Sequence, residues 1–188
     1  MLTAYDDNTA RLWDAATGAE LAVLRGHDRM VRNAVFERSE ARVLTASDDN
    51  TARLWDSATG AELAVLRGHE GSVLSAVFDP FGARVLTASD DNTARLWDPA
   101  TGAELAVLPH DDWVRCAVFD RSGARVLTAS DDHTARLWAA ATGVELAVLR
   151  GHEGSVGSAV FDRAGARVLT ASSDKTARIW RVFRTVLG

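Results

Sequence analysis

Histidine, aspartate and hydroxyl side chains recur together four times in this 188-residue chain, and these groups could in principle form a hydrolase triad. The sets contain histidines (His27, His69, His110, His152), aspartates (Asp49, Asp91, Asp132, Asp174) and serines (Ser47, Ser89, Ser130, Ser172), with a threonine two residues before each serine. Each histidine lies 28 residues before a tryptophan: Trp55, Trp97, Trp138 or Trp180. Because catalytic constellations are rarely built four times in one small chain, we expect a structural role and predict no catalytic residues and no enzyme activity.

The Asp90-Asp91-Asn92 segment is acidic enough to suggest a calcium site, and it recurs with small changes in the other copies. Calcium loops, however, space their ligands at alternate positions and end in a bidentate acid, which this segment lacks. Asp and Asn also favour tight turns, because they tolerate left-handed φ and bond their own backbone. We therefore expect a β-turn, and the sequence predicts no metal and no cofactor.

Composition narrows the class of protein. The net charge of −5 disfavours binding to a nucleic-acid backbone, although Arg32 and Arg115 keep that possibility open. The single cysteine, Cys116, excludes an intrachain disulfide and a cysteine metal cage, so a reducing, cytoplasmic setting is expected. The N-terminus lacks the pattern of a secretory signal, and no apolar stretch approaches the length of a membrane span, so no membrane partner is expected.

The segments that carry these residues repeat with a fixed period. Trp13, Trp55, Trp97, Trp138 and Trp180 are separated by 42, 42, 41 and 42 residues, within text such as LTASDDNTARLWD. A period of about 40 residues marks a repeat architecture, in which each unit stacks on its neighbours to bury its apolar faces. Within one unit we predict four strands, covered on both faces and separated by turn signals, at 73–78, 83–89, 93–97 and 103–108.

The units carry Gly-His near the start and Trp-Asp near the end, as in Gly68-His69 and Trp97-Asp98. With its constant internal spacing, this pattern closely resembles the WD-repeat family of β-propellers over essentially the whole chain. The resemblance implies an all-β fold in which four antiparallel strands form each propeller blade. It also implies a buried hydrogen-bonded tetrad in each blade, made of the histidine, the turn aspartate, the tryptophan and a hydroxyl, which is Thr87 or Ser89 in the second complete unit.

We interpret residues 1–188 as a single array of about 4.5 repeats. Three blades are complete (27–66, 69–108 and 110–149), residues 2–24 form a partial blade, and 152–188 form a last blade with an irregular fourth strand. Rings of this family commonly hold about seven or eight blades, so these repeats would leave an open arc. We expect closure by a second copy, giving a homodimer with a ring of about eight to ten blades, or by a further part of a longer chain. A strained four-bladed ring is the third alternative.

The copies differ most between the Gly-His and the first strand, and just before the turn aspartate. By resemblance, the first of these stretches approaches the top face of a propeller, beside the central channel. Several side chains in these segments are of the types that dominate interface hot spots. The predicted partner-binding residues are Tyr5, Met30, Arg32, Asn33, Leu74, Trp113 and Arg115. Unconstrained drift on exposed loops is the alternative explanation.

Three departures from the repeat need a structural account. Glu40 stands where other units have Gly82, Gly123 and Gly165, so it is strained, or its turn differs, if that turn requires positive φ. Pro109 replaces an Arg-Gly pair and shortens one connection by a residue. After Trp180, the segment RVFRTVLG replaces the expected turn and fourth strand and forms either an irregular strand or a frayed tail.

The function that we expect is non-catalytic: a scaffold or sensor that presents the propeller top face to a protein or peptide. One alternative is a self-assembling structural repeat protein whose main partner is itself. Another is part of a larger multidomain signalling protein, because near-identical WD repeats of this kind resemble those that lie beside effector domains.

Overall fold

The structure, a computed structural model, describes residues 1–4 and 6–182. Within those residues the chain forms five separate sheets and no helix. The first sheet contains β1 (Leu2–Ala4), β2 (Thr9–Trp13) and β3 (Glu20–Arg25); the second contains β4 (Val31–Phe36), β5 (Arg42–Ser47), β6 (Ala52–Asp56) and β7 (Glu62–Leu66). The third contains β8 (Val73–Phe78), β9 (Val85–Ser89), β10 (Thr93–Trp97) and β11 (Glu104–Pro109). The fourth contains β12 (Val114–Phe119), β13 (Arg125–Ser130), β14 (Thr134–Ala139) and β15 (Glu145–Arg150), and the fifth contains β16 (Val156–Phe161), β17 (Arg167–Ser172) and β18 (Ala177–Arg181).

Each sheet is a meander of antiparallel strands, as the alternation of β-rich runs and turn signals predicts. In the third sheet the predicted strands 73–78 and 93–97 are confirmed, and the other two differ by one or two residues at their ends. The segment AELAVL, which could equally be helical by propensity, is a strand. The prediction that every strand is covered on both faces is wrong for the fourth strand, because Leu63 and Leu105 are exposed at the periphery.

The turn after each second strand has the geometry that its residues favour. Asn92 adopts a φ of 68°, and the carboxylate of Asp91 accepts a hydrogen bond from the Thr93 backbone amide at 2.9 Å. Asn50 and His133 have nearly the same φ at the equivalent positions. The turn predicted from the Asp-Asp-Asn text is therefore confirmed.

Neighbouring sheets stack through two different faces. In the second sheet Leu44, Leu54 and Leu66 form one face, which we call the leucine face, and all three are fully buried. They pack against the first three strands of the third sheet, whose face, with Trp97 at its centre, we call the tryptophan face. The sheets contact each other mainly through their first and second strands, so the first strand is the inner edge of each wedge.

An arginine ties together three of the four interfaces between the described sheets. Arg42 at the start of β5 donates a hydrogen bond at 2.6 Å to the carbonyl of Gly82, in the first turn of the next sheet. Its guanidinium also lies 5.3 Å from the ring centre of Phe78, at the end of the next first strand. Arg84 and Arg125 make the same pair of contacts one and two sheets further along.

The two ends of the array differ from its middle. Within residues 1–4 and 6–182, the first sheet has no inner strand, because its three strands correspond to the second, third and fourth of a complete sheet. The fifth sheet, as described, lacks the outer strand, and its leucine face is uncovered: Leu169 and Ile179 are exposed. The predicted alternatives for RVFRTVLG concern residues that lie, after Val182, outside the described part of the chain.

Glu40 adopts a φ of 60°, and Gly82, in the same turn of the next sheet, adopts 70°. In both turns the residue's amide donates to the carbonyl three residues earlier. The turn is therefore the same, and Glu40 adopts the left-handed conformation that glycine adopts in the other sheets.

Among the residues described, no helix is long and apolar enough to cross a bilayer.

Candidate functional site

A buried hydrogen-bonded set links two strands, the turn between them and the loop before the first strand in each sheet that has a first strand. In the third sheet His69 Nε2 lies 2.6 Å from Thr87 Oγ1, and His69 Nδ1 lies 2.7 Å from Asp91 Oδ2. Trp97 Nε1 donates to the same Thr87 oxygen at 2.8 Å. The set recurs in the second, fourth and fifth sheets with nearly the same distances.

The hydroxyl of each set is the threonine: Thr45, Thr87, Thr128 or Thr170. Naming Ser47, Ser89, Ser130 and Ser172 as the tetrad hydroxyls is therefore wrong. Side chains alternate along a strand, and the serine, two residues further on, lies at the end of the strand beside the turn. There its oxygen accepts a hydrogen bond from the turn aspartate's backbone amide, at 3.1 Å for Ser89 and Asp91.

The electrostatics of the set keep the turn aspartate ionised and held in place, which fits a structural role rather than a reactive one. Burial alone would raise the pKa of Asp91, but hydrogen bonds from His69 and Thr93 outweigh it and hold that pKa well below its usual range. Thr87 is completely buried, so a substrate could not reach its oxygen. The arrangement orients a histidine and a tryptophan inside the sheet, and it offers no accessible nucleophile.

The first sheet has only part of this set, because the described chain begins after the position of the histidine. Trp13 Nε1 still donates to Thr3 Oγ1 at 2.7 Å. Asp7, without a histidine, accepts hydrogen bonds from Thr9 and Arg11. No group of three or more potential metal ligands is found within the described residues.

A β-bulge at the start of each complete first strand re-aims one side chain. In the third sheet Val73 pairs with Ser89 and Ser75 pairs with Ala88, so Leu74 is the extra residue. The same bulge occurs in the second, fourth and fifth sheets, and the extra residues are Arg32, Arg115 and Gly157. These are the variable positions of the repeat, and the bulge turns them away from the strand pairing.

Two of the bulged residues are arginines that bind the variable turn residue of their own sheet. Arg32 Nε donates to Asp48 Oδ1 at 2.7 Å, and Arg115 Nε donates to Asp131 Oδ2 at 2.9 Å. Arg115 lowers the pKa of Asp131, mainly through this hydrogen bonding. Asp48 and Asp131 are therefore held in place as partners of arginines that remain exposed.

The largest exposed side chain at this end of the sheets is Trp113, with 43% of its surface exposed. The Arg115 guanidinium lies 4.8 Å from its ring centre, within the range of a cation–π contact. The Trp113 carbonyl accepts a hydrogen bond from the Asp131 amide, and the Met30 carbonyl accepts one from Asp48 in the same way. Loop and turn are thus fastened together, so Trp113 stands on a fixed backbone.

The structure brings five of the seven predicted partner-binding residues to one end of the sheets; we call this surface the variable rim (Met30, Arg32, Leu74, Trp113 and Arg115). Asn33 lies elsewhere: its side-chain oxygen accepts a hydrogen bond from the Ala76 amide at 3.3 Å, between the second and third sheets. Tyr5 falls outside the described residues.

A shallow cavity of about 380 Å³ lies where the variable rim meets the open end of the array. Arg115 and Asp131 form its wall on the fourth sheet, and Ser155, Ser158 and Ser173 form its wall on the fifth. In the third and fourth sheets, Ser75 and Cys116, which correspond to Ser158, are half-buried. The cavity is therefore open partly because no further sheet covers the fifth sheet in the described structure.

Sequence reasoning missed two recurrent groups. The threonine after each turn (Thr51, Thr93, Thr134, Thr176) donates to the turn aspartate, at 2.6 Å for Thr93 and Asp91. The arginines at the start of the second strands tie the sheets together, as described for Arg42. Both groups lie in segments whose sequence is nearly the same in every unit. This constancy indicated a structural role but not which residues they contact.

The wedge-shaped sheets and their buried histidine–tryptophan sets define the class of protein: a stack of β-propeller-type blades. Residues 18–56, 60–98, 102–139 and 143–181 match the family model of the WD domain, G-beta repeat. The chain therefore belongs to the WD40 repeat family, as its sequence pattern predicts. A comparison with curated proteins gives no match. WD40 repeats generally serve as protein-interaction or scaffold modules, and proteins built from them are typically non-catalytic.

Proposed function

We propose that this chain is a non-catalytic scaffold or sensor that binds a protein or peptide through the variable rim. One observation carries the proposal: the exposed Trp113, with Arg115 fixed by Asp131, stands on a backbone whose other positions repeat almost unchanged. A rigid aromatic and an arginine beside it are the side chains that most often anchor interfaces. As part of a larger signalling protein, the array would use the same rim.

The test compares partner capture by three forms of the chain. Trp113→Ala with Arg115→Ala should remove the partner that wild type cross-links in an extract of its own cells, because both anchors are lost. The matched control is Phe81→Ala, since Phe81 is an exposed aromatic in a turn at the opposite end of the strands. Undiminished capture by the double variant, with its melting temperature unchanged, would remove the rim from consideration.

A second candidate function is self-assembly, and the uncovered leucine face of the fifth sheet favours it. If the first sheet of a second copy covered this face, and the reverse contact also formed, a homodimer would supply two sets of five sheets to one ring. Light scattering over a range of protein concentrations tests this directly. A mass that stays at that of one chain would exclude the homodimer.

The single free cysteine, Cys116, supports a reducing, cytoplasmic setting for either function.

A further inference from the structure

The second, third and fourth sheets carry equivalent turn aspartates, but only two of the three have an arginine partner. Asp48 and Asp131 accept hydrogen bonds from the bulged arginines of their own sheets. In the third sheet the bulged residue is Leu74, so the sheet supplies no guanidinium to Asp90. Among the described residues, no ion pair and no side-chain hydrogen bond involves the Asp90 carboxylate.

The Asp90 carboxylate lies instead on the loop that precedes the first strand of its sheet. A Cβ atom on Gly71 in that loop would overlap Asp90 Oδ1, so the carboxylate occupies the place of a side chain. The fifth sheet, whose bulged residue is Gly157, is arranged alike: a Cβ atom on Gly154 would lie 2.6 Å from Ser173 Oγ. The two sheets with a bulged arginine have side chains at the corresponding loop position. The turn residue therefore lies on the loop in the sheets that supply no arginine.

Three aspartates and two arginines leave one negative charge unbalanced at the variable rim. The pKa of Arg115 is raised first by its hydrogen bond to Asp131 and, more weakly, by the charge of Asp90. The pKa of Arg32 is raised first by its hydrogen bond to Asp48 and, again more weakly, by Asp90. Asp90 is thus within electrostatic reach of both ion pairs without joining either.

The loops of the same three sheets add to this negative charge. Between the histidine of each buried set and the first strand that follows, they carry four carboxylates and one arginine: Asp28, Glu70, Asp111, Asp112 and Arg29. A cationic side chain that approaches Asp90 therefore meets a surface of opposite charge.

We infer that Asp90 binds the guanidinium of an arginine supplied by the partner, and that the partner of the variable rim is therefore an arginine-containing protein segment. The inference rests on the proposed function, because it names the partner of the same rim. The chain itself provides the example: a guanidinium occupies this place at both equivalent aspartates, and at Asp131 it donates through two nitrogen atoms. Arginine fits better than lysine because its planar fork can donate two parallel hydrogen bonds to one carboxylate. Leu74 offers apolar surface to the methylene groups of the same side chain.

Peptides selected from a random library displayed on phage, with the full chain as the target, provide the probe. Most of the enriched sequences should carry arginine. A synthetic peptide of the most enriched sequence is then compared with its citrulline analogue, in which a neutral urea group replaces the guanidinium at nearly constant shape. Binding to wild type should fall at least about tenfold with citrulline, the loss expected when a hydrogen bond to a charged group is removed.

Asp90→Asn locates the contact. The variant should bind the arginine peptide about tenfold more weakly than wild type does, and it should no longer distinguish that peptide from the citrulline analogue, because both changes remove the same pair. Glu70→Gln removes an exposed carboxylate from the same sheet and is the matched control, which should keep the wild-type preference for arginine. Melting temperatures show that both variants are folded.

Leu74→Arg tests the same site by filling it from within the chain. The new guanidinium should pair with Asp90 as the bulged arginines pair with their aspartates, so binding of the arginine peptide should fall at least about tenfold. Leu74→Met changes the same side chain without adding a charge, and it should leave that binding nearly unchanged.

Two results would overturn the inference and leave the proposed function standing. They are enriched peptides that lack arginine, and a preference for arginine that Asp90→Asn retains, in each case with binding that Trp113→Ala and Arg115→Ala together abolish. Equal binding of a peptide with lysine in place of arginine would also overturn it, because any cation would then serve. Binding that depends on Asp90 but survives the double substitution would support the inference at Asp90 and remove Trp113 and Arg115 as anchors.

Discussion

In each complete blade one threonine oxygen serves two aromatic neighbours. Thr87 Oγ1 accepts from Trp97 and contacts His69, so one small side chain fixes the orientation of two large ones. This explains how the blade keeps a histidine and an indole in its interior without leaving their nitrogen atoms unpaired.

Replacing Thr87 with valine should therefore destabilise the fold by about 1–3 kcal/mol, because a buried indole N–H and an imidazole nitrogen lose their partner at nearly constant volume. Urea unfolding measures the change. Ser89→Ala is the comparison: the Ser89 oxygen accepts a hydrogen bond from the Asp91 backbone amide rather than from a buried ring nitrogen, so the loss of stability should be smaller. Equal losses for the two variants would contradict the assignment of the threonine as the shared partner.

Acid should weaken the fold in the pH range of histidine. Burial lowers the pKa of His110 below its usual value and outweighs the opposing hydrogen bond from Asp132. The unfolded chain then binds a proton as the pH falls through about 6.5 while folded His110 does not, so stability declines from there to the lower folded pKa. Further loss follows below about pH 4, where unfolded aspartates protonate before Asp132 does.

Melting temperatures measured from pH 7.5 to 5 on wild type and His110→Gln test the first part of this decline. The variant should be less stable at neutral pH and should show a shallower slope. His133→Gln, in an exposed turn, is the control and should keep the wild-type slope. A variant at position 110 with the full wild-type slope would assign the decline to other groups.

Which residues belong to the buried set could be predicted from the sequence, but the choice between Thr87 and Ser89 could not. Both are hydroxyls on one strand, and both point to the same face, because they are two residues apart. What separates them is position along the strand relative to His69 and Trp97, and that depends on strand register. The positions of Arg115 at the rim and of Asn33 between two sheets likewise depend on the bulge, which the apolar pattern does not reveal.

At the scale of one element, the bulge at the start of each first strand separates the constant strand pairing from the variable residue of the rim. The residues around it keep their pairing, while the extra residue varies from Arg32 to Leu74 to Arg115 to Gly157. A bulge therefore lets the rim change without altering the strand beneath it.

The turn that contains Glu40 should gain stability when that residue becomes glycine. Glu40→Gly relieves a left-handed conformation at φ 60° and should add about 1 kcal/mol to the free energy of unfolding. Arg38→Gly in the same loop, at a position without positive φ, should not stabilise the protein, because glycine there only increases the entropy of the unfolded chain. Chemical denaturation of both variants gives the comparison, and equal changes would argue against strain at Glu40.

The number and order of the strands could be predicted from the sequence because turn signals separate short β-rich runs, as at Asp90–Asn92. The exposure of the fourth strand could not, because AELAVL has apolar residues on both faces and its outer side lacks cover only once the sheets are arranged as wedges. The arginine contacts between sheets could not be predicted either, because each joins residues about one full repeat apart.

At the scale of the whole molecule, the described sheets form an open series, and the fifth sheet exposes an apolar face at one end of it. Ile179→Lys places a charge on the uncovered leucine face and should reduce aggregation without lowering the melting temperature, because residue 179 is already in contact with solvent. Leu137→Lys, the same change one blade earlier, should unfold the protein, because it buries an unpaired ammonium group. Static light scattering and thermal melts distinguish these outcomes, and similar damage from both substitutions would mean that the fifth sheet is covered in solution.

The boundaries of the sequence repeats do not coincide with those of the sheets. Each family match, such as 18–56, begins just before the fourth strand of one sheet and ends with the third strand of the next, to within one residue. Consecutive units are also nearly identical in text, so the deletion of one period, residues 57–98 for example, would join Asp56 to Pro99 and provide the second sheet with an equivalent fourth strand. Unequal crossing-over between such coding segments would shorten or lengthen the array by whole blades, and each product would inherit intact hydrogen-bonded sets and a new combination of rim residues.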